Sequence, residues 1–406
     1  MTDAVPIVVG SAADWDDIYE LLRGVFLQTY DGDEREVERG VYEPDRTLLV
    51  REGGVVVAHA GAFSRHLSVP GGVLPAAHVT QVGVAPTHRR RGLLSQLMRR
   101  QLREVRDAGR EPVAVLWASE GKIYPRYGYG LAAQRLRMRV DSREVTLAPA
   151  DRRLRLADPA DAWPELAGVY ERVRPHRPGR SSRDERWWRF VVADIEGRRE
   201  GATERRAVVS ESPDGPDGYA LYRVRNAWDE NGPRGVVLLD EITAVGPTAY
   251  AALWRFLLSI DLTRTVSFNF AAADEPLLHL TDEHSRLGAR LLDGLWIRVV
   301  DVPAALAARR YAAPVDLVIE VSDPVLPENA GRWRLTGDAD DARCAPSSDS
   351  ADLSCDVRDL GAVYLGGPSM AALAAAGRVR ELRPGAAAEA AAAFAWYPGP
   401  VAMEVF

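Results

Sequence analysis

Short apolar runs and helical spacings alternate along the first third of the chain. Ile7–Val9 predicts a short strand. Ser11 stands where an N-cap belongs, and Trp15, Ile18, Leu22, Val25 and Phe26 recur on one helical face. Residues 31–43 predict a second, mostly solvated helix. Leu48–Val50, Val55–Phe63 and Val73–Val84 are β-rich runs divided by Gly-Gly turns at 53–54 and 71–72. Pro86 ends the third run. Leu93, Leu94, Leu97, Met98, Leu102 and Val105 then predict an amphipathic helix over 92–107. Val113–Trp117 is a further strand, and the turn-rich segment SEGKIYPRYGYG leads to a last strand near 131–140.

Residues 150–300 predict a second α/β stretch. The turn cluster DGPDG at 214–218 precedes Tyr219–Val224. Val236–Val245 is a strand, and Thr248–Ser259 a helix. An internal echo connects the two stretches: Val84-Ala85-Pro86-Thr87 and Val245-Gly246-Pro247-Thr248 each end a strand and open a helix. The second copy lacks the arginines of the first. Beyond residue 301 the pattern changes. A helix starts at Asp301-Val302-Pro303, residues 315–335 alternate like antiparallel strands, and alanine-rich helices occupy roughly 368–377 and 384–395. The expected division is therefore 1–148, 149–300 and 301–406, the first two α/β and the last α+β.

Composition narrows the class. With 406 residues, 47% hydrophobic and 27% charged, the chain is neither collagenous, disordered nor a disulfide scaffold. No run of 18 apolar residues predicts a membrane span, and MTDAVPIVVGSAADWDD lacks the features of a signal peptide, so a cytoplasmic protein is expected. The formal charge of −7 argues against a nucleic-acid partner and suits cationic substrates. Lys122 is the one lysine among 51 basic residues. Cys344 and Cys355 have no metal-ligand spacing, so reduced thiols and no metal are expected.

The chemistry concentrates in Val82-Gly-Val-Ala-Pro-Thr-His-Arg89-Arg90-Arg91-Gly92-Leu93-Leu94. A strand stops at a proline, three arginines and a glycine follow, and a helix begins. The first backbone N–H groups of a helix lack partners and, with the helix dipole, attract anions. Arginines there add charge-assisted hydrogen bonds, and Gly92 lets the backbone approach a phosphate. Neither GxxxxGK[ST] nor GxGxxG is present. The arrangement is R-R-x-G, made by Arg89, Arg90 and Gly92. It resembles the pyrophosphate loop of the GNAT superfamily, which implies acetyl-CoA as co-substrate. By that resemblance the backbone of Val82 and Val84 holds the acetyl and pantetheine arm, and Leu93 opens the phosphate-binding helix.

VAPTHRRRGLL, ASEGKIYPRYGYG, DGYALYRV, DGLWIRVVDVPAALAARRYA and the terminal Phe406 together resemble the Eis (enhanced intracellular survival) family of actinobacterial N-acetyltransferases. The resemblance implies an N-terminal GNAT domain, a degenerate central GNAT domain and a C-terminal domain like sterol carrier protein. It further implies acetylation of aminoglycosides at more than one position, and a hexamer. Tyr124 is then the general acid, and the carboxylate of Phe406 the base. The chemistry is sound in principle: an ammonium loses a proton before attacking a thioester, and the departing thiolate gains one.

Ser119 matches a position near the cofactor; its alternative is an N-cap for the turn that holds Tyr124. Trp15 matches a wall of the amine pocket, and its alternative is the core. Gln28 stands where the family has an aspartate, Gln81 where it has a phenylalanine, and Glu404 one step from a family glutamate. These three departures put the aminoglycoside preference in question. Two other readings stay open. One is a protein-lysine or polyamine acetyltransferase. The other is a carrier of an apolar ligand with a vestigial transferase head.

Overall fold

The computed structural model describes residues 6–406. In chain order, β1 (Ile7–Val9), α1 (Trp15–Phe26) and α2 (Gly32–Arg39) precede β2 (Leu48–Glu52), β3 (Val55–Val69) and β4 (Gly72–Val84). α3 (Leu93–Ala108), β5 (Val113–Trp117), β6 (Tyr129–Leu131) and β7 (Gln134–Asp141) follow. The middle stretch holds β8 (Arg153–Ala157), α4 (Pro159–Val173), α5 (Glu185–Val192), β9 (Arg206–Ser212) and β10 (Gly215–Arg225). It continues through a small ribbon, β11 (Trp228–Asp229) and β12 (Gly232–Pro233), to β13 (Gly235–Ala244), α6 (Pro247–Leu258), β14 (Thr263–Ala272), α7 (Leu277–Leu280), β15 (Arg290–Asp293) and β16 (Leu295–Val299). The last stretch is α8 (Val302–Ala307), β17 (Val315–Ser322), β18 (Gly331–Gly337), β19 (Ala342–Pro346), β20 (Leu353–Asp356), α9 (Val357–Val363), α10 (Met370–Ala375), β21 (Val379–Glu381) and α11 (Ala386–Phe394).

The first sheet has the order β1-β2-β3-β4-β5-β16-β6. Read from its β8 edge, the second has the order β8-β9-β10-β13-β14-β7-β15. The two match position for position. In each, the fourth and fifth strands are parallel, and the sixth runs antiparallel to both neighbours. β4 leads to α3 as β13 leads to α6, which is the echo seen in the sequence.

The sixth strand of each sheet comes from the other half of the sequence. This corrects the expected boundaries at 148 and 300: β7 belongs to the second sheet and β16 to the first. The connections explain it. Only Gly294 separates β15 from β16, and an antiparallel hairpin needs a loop of about two residues. Between β6 and β7 stand Ala132 and Ala133, and alanine is poor at the positive φ that tight hairpin turns require. Neither pair can fold back on itself. The compact units are accordingly residues through Ala133 with Leu295–Tyr397 and Phe406, and Gln134–Gly294 with Pro398–Val405.

In the first unit α3 covers one face of the sheet, with Met98, Leu102 and Val105 against Ala77, Val79, Ala114 and Leu116. α1 covers the other face, with Ile18 and Leu22 against Leu49 and Val56. The third sheet, β19-β18-β17-β20-β21, lies in the same unit. Its helix α9 meets the first sheet backbone to backbone. A Cβ on Gly130 of β6 would lie 2.0 Å from the Arg358 carbonyl oxygen, and one on Gly361 of α9 would lie 2.3 Å from that of Ile297. Both positions need glycine.

Beside this seam Arg298 of β16 donates to Asp323 at 2.6 Å. Both side chains are 0% exposed. Asp323 also accepts the Val325 and Leu326 N–H groups, each at 3.0 Å, and the Asn329 amide at 2.9 Å. Removing one partner of such a pair costs about 3–5 kcal/mol, because the other is left buried and charged. Asp323→Ala is expected to lower the stability of the unit by that amount, read as a fall in the thermal midpoint followed by circular dichroism. An unchanged midpoint would show that the pair contributes nothing.

Candidate active site

β4 and β5 pair only from Ala76/Val113 to His78/Val115 and then part. Beyond His78 the β5-facing backbone groups of β4, those of Val82 and Val84 among them, have no strand partner. A bulge sharpens the fork. His59 pairs with Gly83 and Gly61 with Thr80, so β4 carries one residue more than β3 there. Gln81 takes the extra bend at φ 52°. Its carbonyl accepts from His59 Nδ1 at 2.6 Å. Burial pushes the His59 pKa down to about 4, so the ring is neutral and Nδ1 carries the proton.

The chain then turns through Pro86–His88 and through two left-handed residues, Arg90 at φ 63° and Gly92 at φ 79°. Gly92 pays no steric penalty there, whereas Arg90 does. The helical hydrogen bonds of α3 begin with the Gln96 N–H, which donates to the Gly92 carbonyl at 3.1 Å. The N–H groups of Leu93, Leu94 and Ser95 precede that first bond and are open to an anion. The Leu93 side chain is buried, so what it offers is its backbone.

Glu52 sorts the three arginines. It accepts from Arg91 at 3.0 Å and is paired with His88. Hydrogen bonds from Arg91 and His88 hold its carboxyl down near 2. Arg91, the variable position of R-R-x-G, is therefore neutralised. Arg89 and Arg90 are exposed and carry no carboxylate partner among the described residues.

Past β5 the chain enters a single 3-10 turn, Tyr124–Tyr127, closed by Gly128 at φ 83°. Tyr127 Oη lies 3.0 Å from Ser95 Oγ, which ties this turn to the first turn of α3. Tyr124 is 6% exposed, and its ring meets Tyr129 edge-on at 5.9 Å. Burial pushes its hydroxyl up to about 12. Tyr129 is driven higher still, and its hydroxyl has no hydrogen-bond partner among the described residues. Phe406 packs its ring on His78, the last paired residue of the fork, with centroids 4.7 Å apart.

The fork thus gathers Val82, Val84, Arg89, Arg90, Gly92, Leu93 and Tyr124 around one end of β4, β5 and α3. Ser119 is exposed two residues past β5, and Ile123 rather than Ser119 occupies the cap position of the turn. Gln81 is half-buried at the bulge, and Gln28 is exposed just past α1.

Two expected pocket residues are engaged by other side chains or backbone. Trp15 is 1% exposed, donates from Nε1 to the Arg35 carbonyl at 3.2 Å and packs on Tyr42. It is a core residue joining α1 to α2, not a wall open to a ligand. Glu404 is bound to Arg183 at 2.8 Å, and Arg183 also holds Glu241 at 2.8 Å. Its charge is spent inside the second unit. Sequence reasoning missed Glu52, His59 and His78. Each sits in an ordinary strand pattern, and the contact that places it at the site, with Gln81, Arg91 or Phe406, is made 22 or more residues away.

An Acetyltransferase (GNAT) domain family matches residues 9–132, ending where the chain leaves the first sheet. A second Acetyltransferase (GNAT) domain family matches 179–299, and a Sterol carrier protein domain family matches 302–402. An uncharacterized N-acetyltransferase of Streptomyces avermitilis is 48% identical over 396 residues, 95% of this chain and 97% of the relative. N-acetyltransferase Eis of Mycobacterium tuberculosis (strain ATCC 25177 / H37Ra) is 36% identical over 383 residues, 90% of this chain and 91% of that protein. The crystal structure of Eis1 from Mycobacterium abscessus superposes with a TM-score of 0.84 at 34% identity, covering 99% of this chain and 100% of that one. The architecture is two GNAT domains followed by a sterol-carrier-like domain, and the GNAT domains imply acetyl-CoA as co-substrate. A fork that offers two free arginines and an open helix terminus, inside a chain matched over nine tenths of its length, is that of an acetyltransferase, and the protein belongs to the Eis family of GNAT N-acetyltransferases.

Proposed function

We propose that the protein transfers acetyl from acetyl-CoA to primary amines of cationic small molecules, aminoglycosides at more than one position among them. The observation that carries this reading is the fork: free Arg89 and Arg90, open amides at the start of α3, and a buried, protonated Tyr124 beside them. Acetyl-CoA supplies an activated acyl group and a thiolate leaving group. Arg89, Arg90, Gly92 and Leu93 bind its diphosphate by charge-assisted and backbone hydrogen bonds. The backbone of Val82 and Val84 orients the arm, and Ser119 flanks it. The terminal carboxylate of Phe406 takes the proton from the substrate ammonium. As the C–N bond forms and the C–S bond breaks, Tyr124 gives its proton to the sulfur, and the second proton of the attacking amine leaves the new amide nitrogen and restores the tyrosine hydroxyl.

Gln28 and Gln81 are the pocket positions this reading retains. Both are uncharged, so selection for a cationic amine rests on the acidic run near α2. Asp31 there already caps α2, accepting from the Asp33 and Glu34 N–H groups, and Glu34 is buried. Asp33 remains exposed to face a cation, whereas Glu36 is paired with Arg35 at 2.9 Å. The reading further includes a cytoplasmic homo-oligomer, a hexamer as in the family resemblance, with neither nucleic acid nor membrane as partner. Acetylation of protein lysines or polyamines is the second outcome that the same experiment reads.

The test is release of free CoA thiol with kanamycin-type aminoglycosides, polyamines and lysine peptides, on protein with a native C-terminus. Turnover of aminoglycosides supports the reading, and turnover of lysine peptides alone replaces the substrate. Arg89→Ala/Arg90→Ala is expected to weaken acetyl-CoA binding about a hundredfold, as two charge-assisted bonds are lost; equilibrium dialysis with labelled acetyl-CoA checks it. Tyr124→Phe is expected to lower kcat about 10²- to 10⁴-fold with acetyl-CoA binding intact. Deleting Phe406 is expected to lower kcat over a similar range without unfolding the protein.

The pH profile follows from the burial of Tyr124. A group needed in its protonated form keeps that form below its pKa, so a value near 12 leaves kcat free of a descending tyrosinate limb up to pH 10. A limb at pH 9–10 would place an unburied tyrosine, or another group, in the acid role.

A further inference from the structure

The second unit has a fork of its own. β13 and β14 pair from Gly235/Thr263 to Leu239/Phe268 and then part, as β4 and β5 do. No R-R-x-G follows: Gly246 is extended and Pro247 opens α6 without an N–H. A cavity of about 480 Å³ lies at this fork on the sheet face turned away from α6. Its floor is a row of direct cross-strand neighbours, Arg139, Ser267, Leu238 and Arg223, one from each of β7, β14, β13 and β10. Two residues along the same strands, Arg137, Asn269 and Arg225 line it as well. The alternate residues Met138, Phe268, Leu239 and Tyr222 fill the core on the other face. On the cavity side α4 and α5 pack on Val209, Tyr219 and Leu221 of β9 and β10, and the segment after α5 lines the cavity with Arg199 and Glu200.

The charges do not balance. Arg223 is buried and held by Asp194 at 2.9 Å and Asp240 at 2.8 Å. Those two carboxylates also take Arg199 at 2.7 Å and Arg205 at 3.0 Å, so three arginines already share two acids. Arg137, Arg139 and Arg225 face the same cavity with no carboxylate partner among the described residues, and Glu200 is the remaining acid in its lining. The chain as a whole carries −7. A concave site that concentrates positive charge on an acidic protein focuses anions into it.

We infer that this cleft binds a small phosphate-bearing molecule through Arg137, Arg139 and Arg225. Guanidinium forks fit phosphate oxygens two at a time, which carboxylate-free arginines in a concavity are free to do. The buried Arg223 network fixes the floor, and Asn269 adds an amide at the point where the strands part. The volume falls in the range of small-molecule pockets rather than of an open track for a polymer. The site is separate from acetyl transfer and stands whether or not that reading holds.

The test uses the full chain carrying Arg89→Ala/Arg90→Ala, so that the first fork cannot answer for the second. Inorganic pyrophosphate and ADP are each titrated by calorimetry, with and without the further changes Arg137→Ala/Arg139→Ala. Saturable binding that weakens about tenfold or more with those changes is expected. Arg225→Ala, on another strand, should weaken it in the same direction. ADP binding more tightly than pyrophosphate identifies a nucleotide-like ligand, and equal binding identifies the phosphates alone. No saturable binding up to millimolar concentration, or binding indifferent to Arg137, Arg139 and Arg225, overturns the inference. These residues carry no ion pair among the described residues, so unaltered circular dichroism of the variants is expected and checks that they fold.

Discussion

One buried ion pair, Arg298 with Asp323, ties the helix α3 to the turn that carries Tyr124. Taking two charges out of water costs several kcal/mol for each, and attraction repays this only where the remaining donors and acceptors are also met. Asp323 meets that condition by accepting from Arg298, Asn329 and two backbone N–H groups. Asn329 in turn accepts from Arg106, near the end of α3, at 2.8 Å. Arg298 pairs across the strand with Tyr129, the ring against which Tyr124 rests. Gly128, which closes the Tyr124 turn, leaves the space the guanidinium fills: a Cβ there would stand 2.9 Å from Arg298 Cζ. The helix that opens at the anion site and the turn that carries Tyr124 are thus referenced to one charge pair. Such a pair fixes geometry more than it adds stability.

That pair sits on an exchanged strand, which marks the limit of what the sequence discloses. Periodicity places β4, β5, α3, α6 and the alanine-rich helices within a residue or two, because each is fixed by its own side chains. The R-R-x-G loop is legible for the same reason: its chemistry is local. Strand partnership is not local. Gln134–Asp141 looks like the close of the first domain by proximity, and only the alanines of the Ala132–Ala133 link and the shortness of the Gly294 link send it and Leu295–Val299 to different sheets. Trp15 and Glu404 fail likewise. A tryptophan on an amphipathic helix fits a core or a pocket equally well until Tyr42 covers it. A carboxylate near the chain end looks free until Arg183, 221 residues earlier, claims it.

The two forks show how one topology can lose an anion site and gain another. At the first, a left-handed Arg90 and Gly92 swing the chain so that α3 begins with free amides and free guanidiniums. At the second, an extended Gly246 runs straight into Pro247, which removes one amide and supplies no cation. The helix terminus there is a poor site. The positive charge instead stands on the sheet, on alternate residues of β7 and β10, where the period of two keeps it out of the core. Arginine suits such a floor, since it stays charged even when half-buried.

Burial of Tyr124 has two opposed effects on the proposed chemistry. It keeps the hydroxyl protonated at any physiological pH, which a proton donor requires. It also weakens the acid: a donor near 12 facing a thiolate whose parent thiol lies near 8.5 gives up its proton against a gap of about 5 kcal/mol. Complete transfer ahead of C–S cleavage would add that gap to the barrier. Transfer concerted with cleavage would not, because the charge on sulfur is met by the hydroxyl as it develops. The Tyr127–Ser95 contact fits this demand. It fixes the Tyr124 turn to the first turn of α3, so the donor and the phosphate-binding amides keep a constant spacing. A weak acid held still can stabilise a developing charge, where a stronger acid on a loose turn would have to find it.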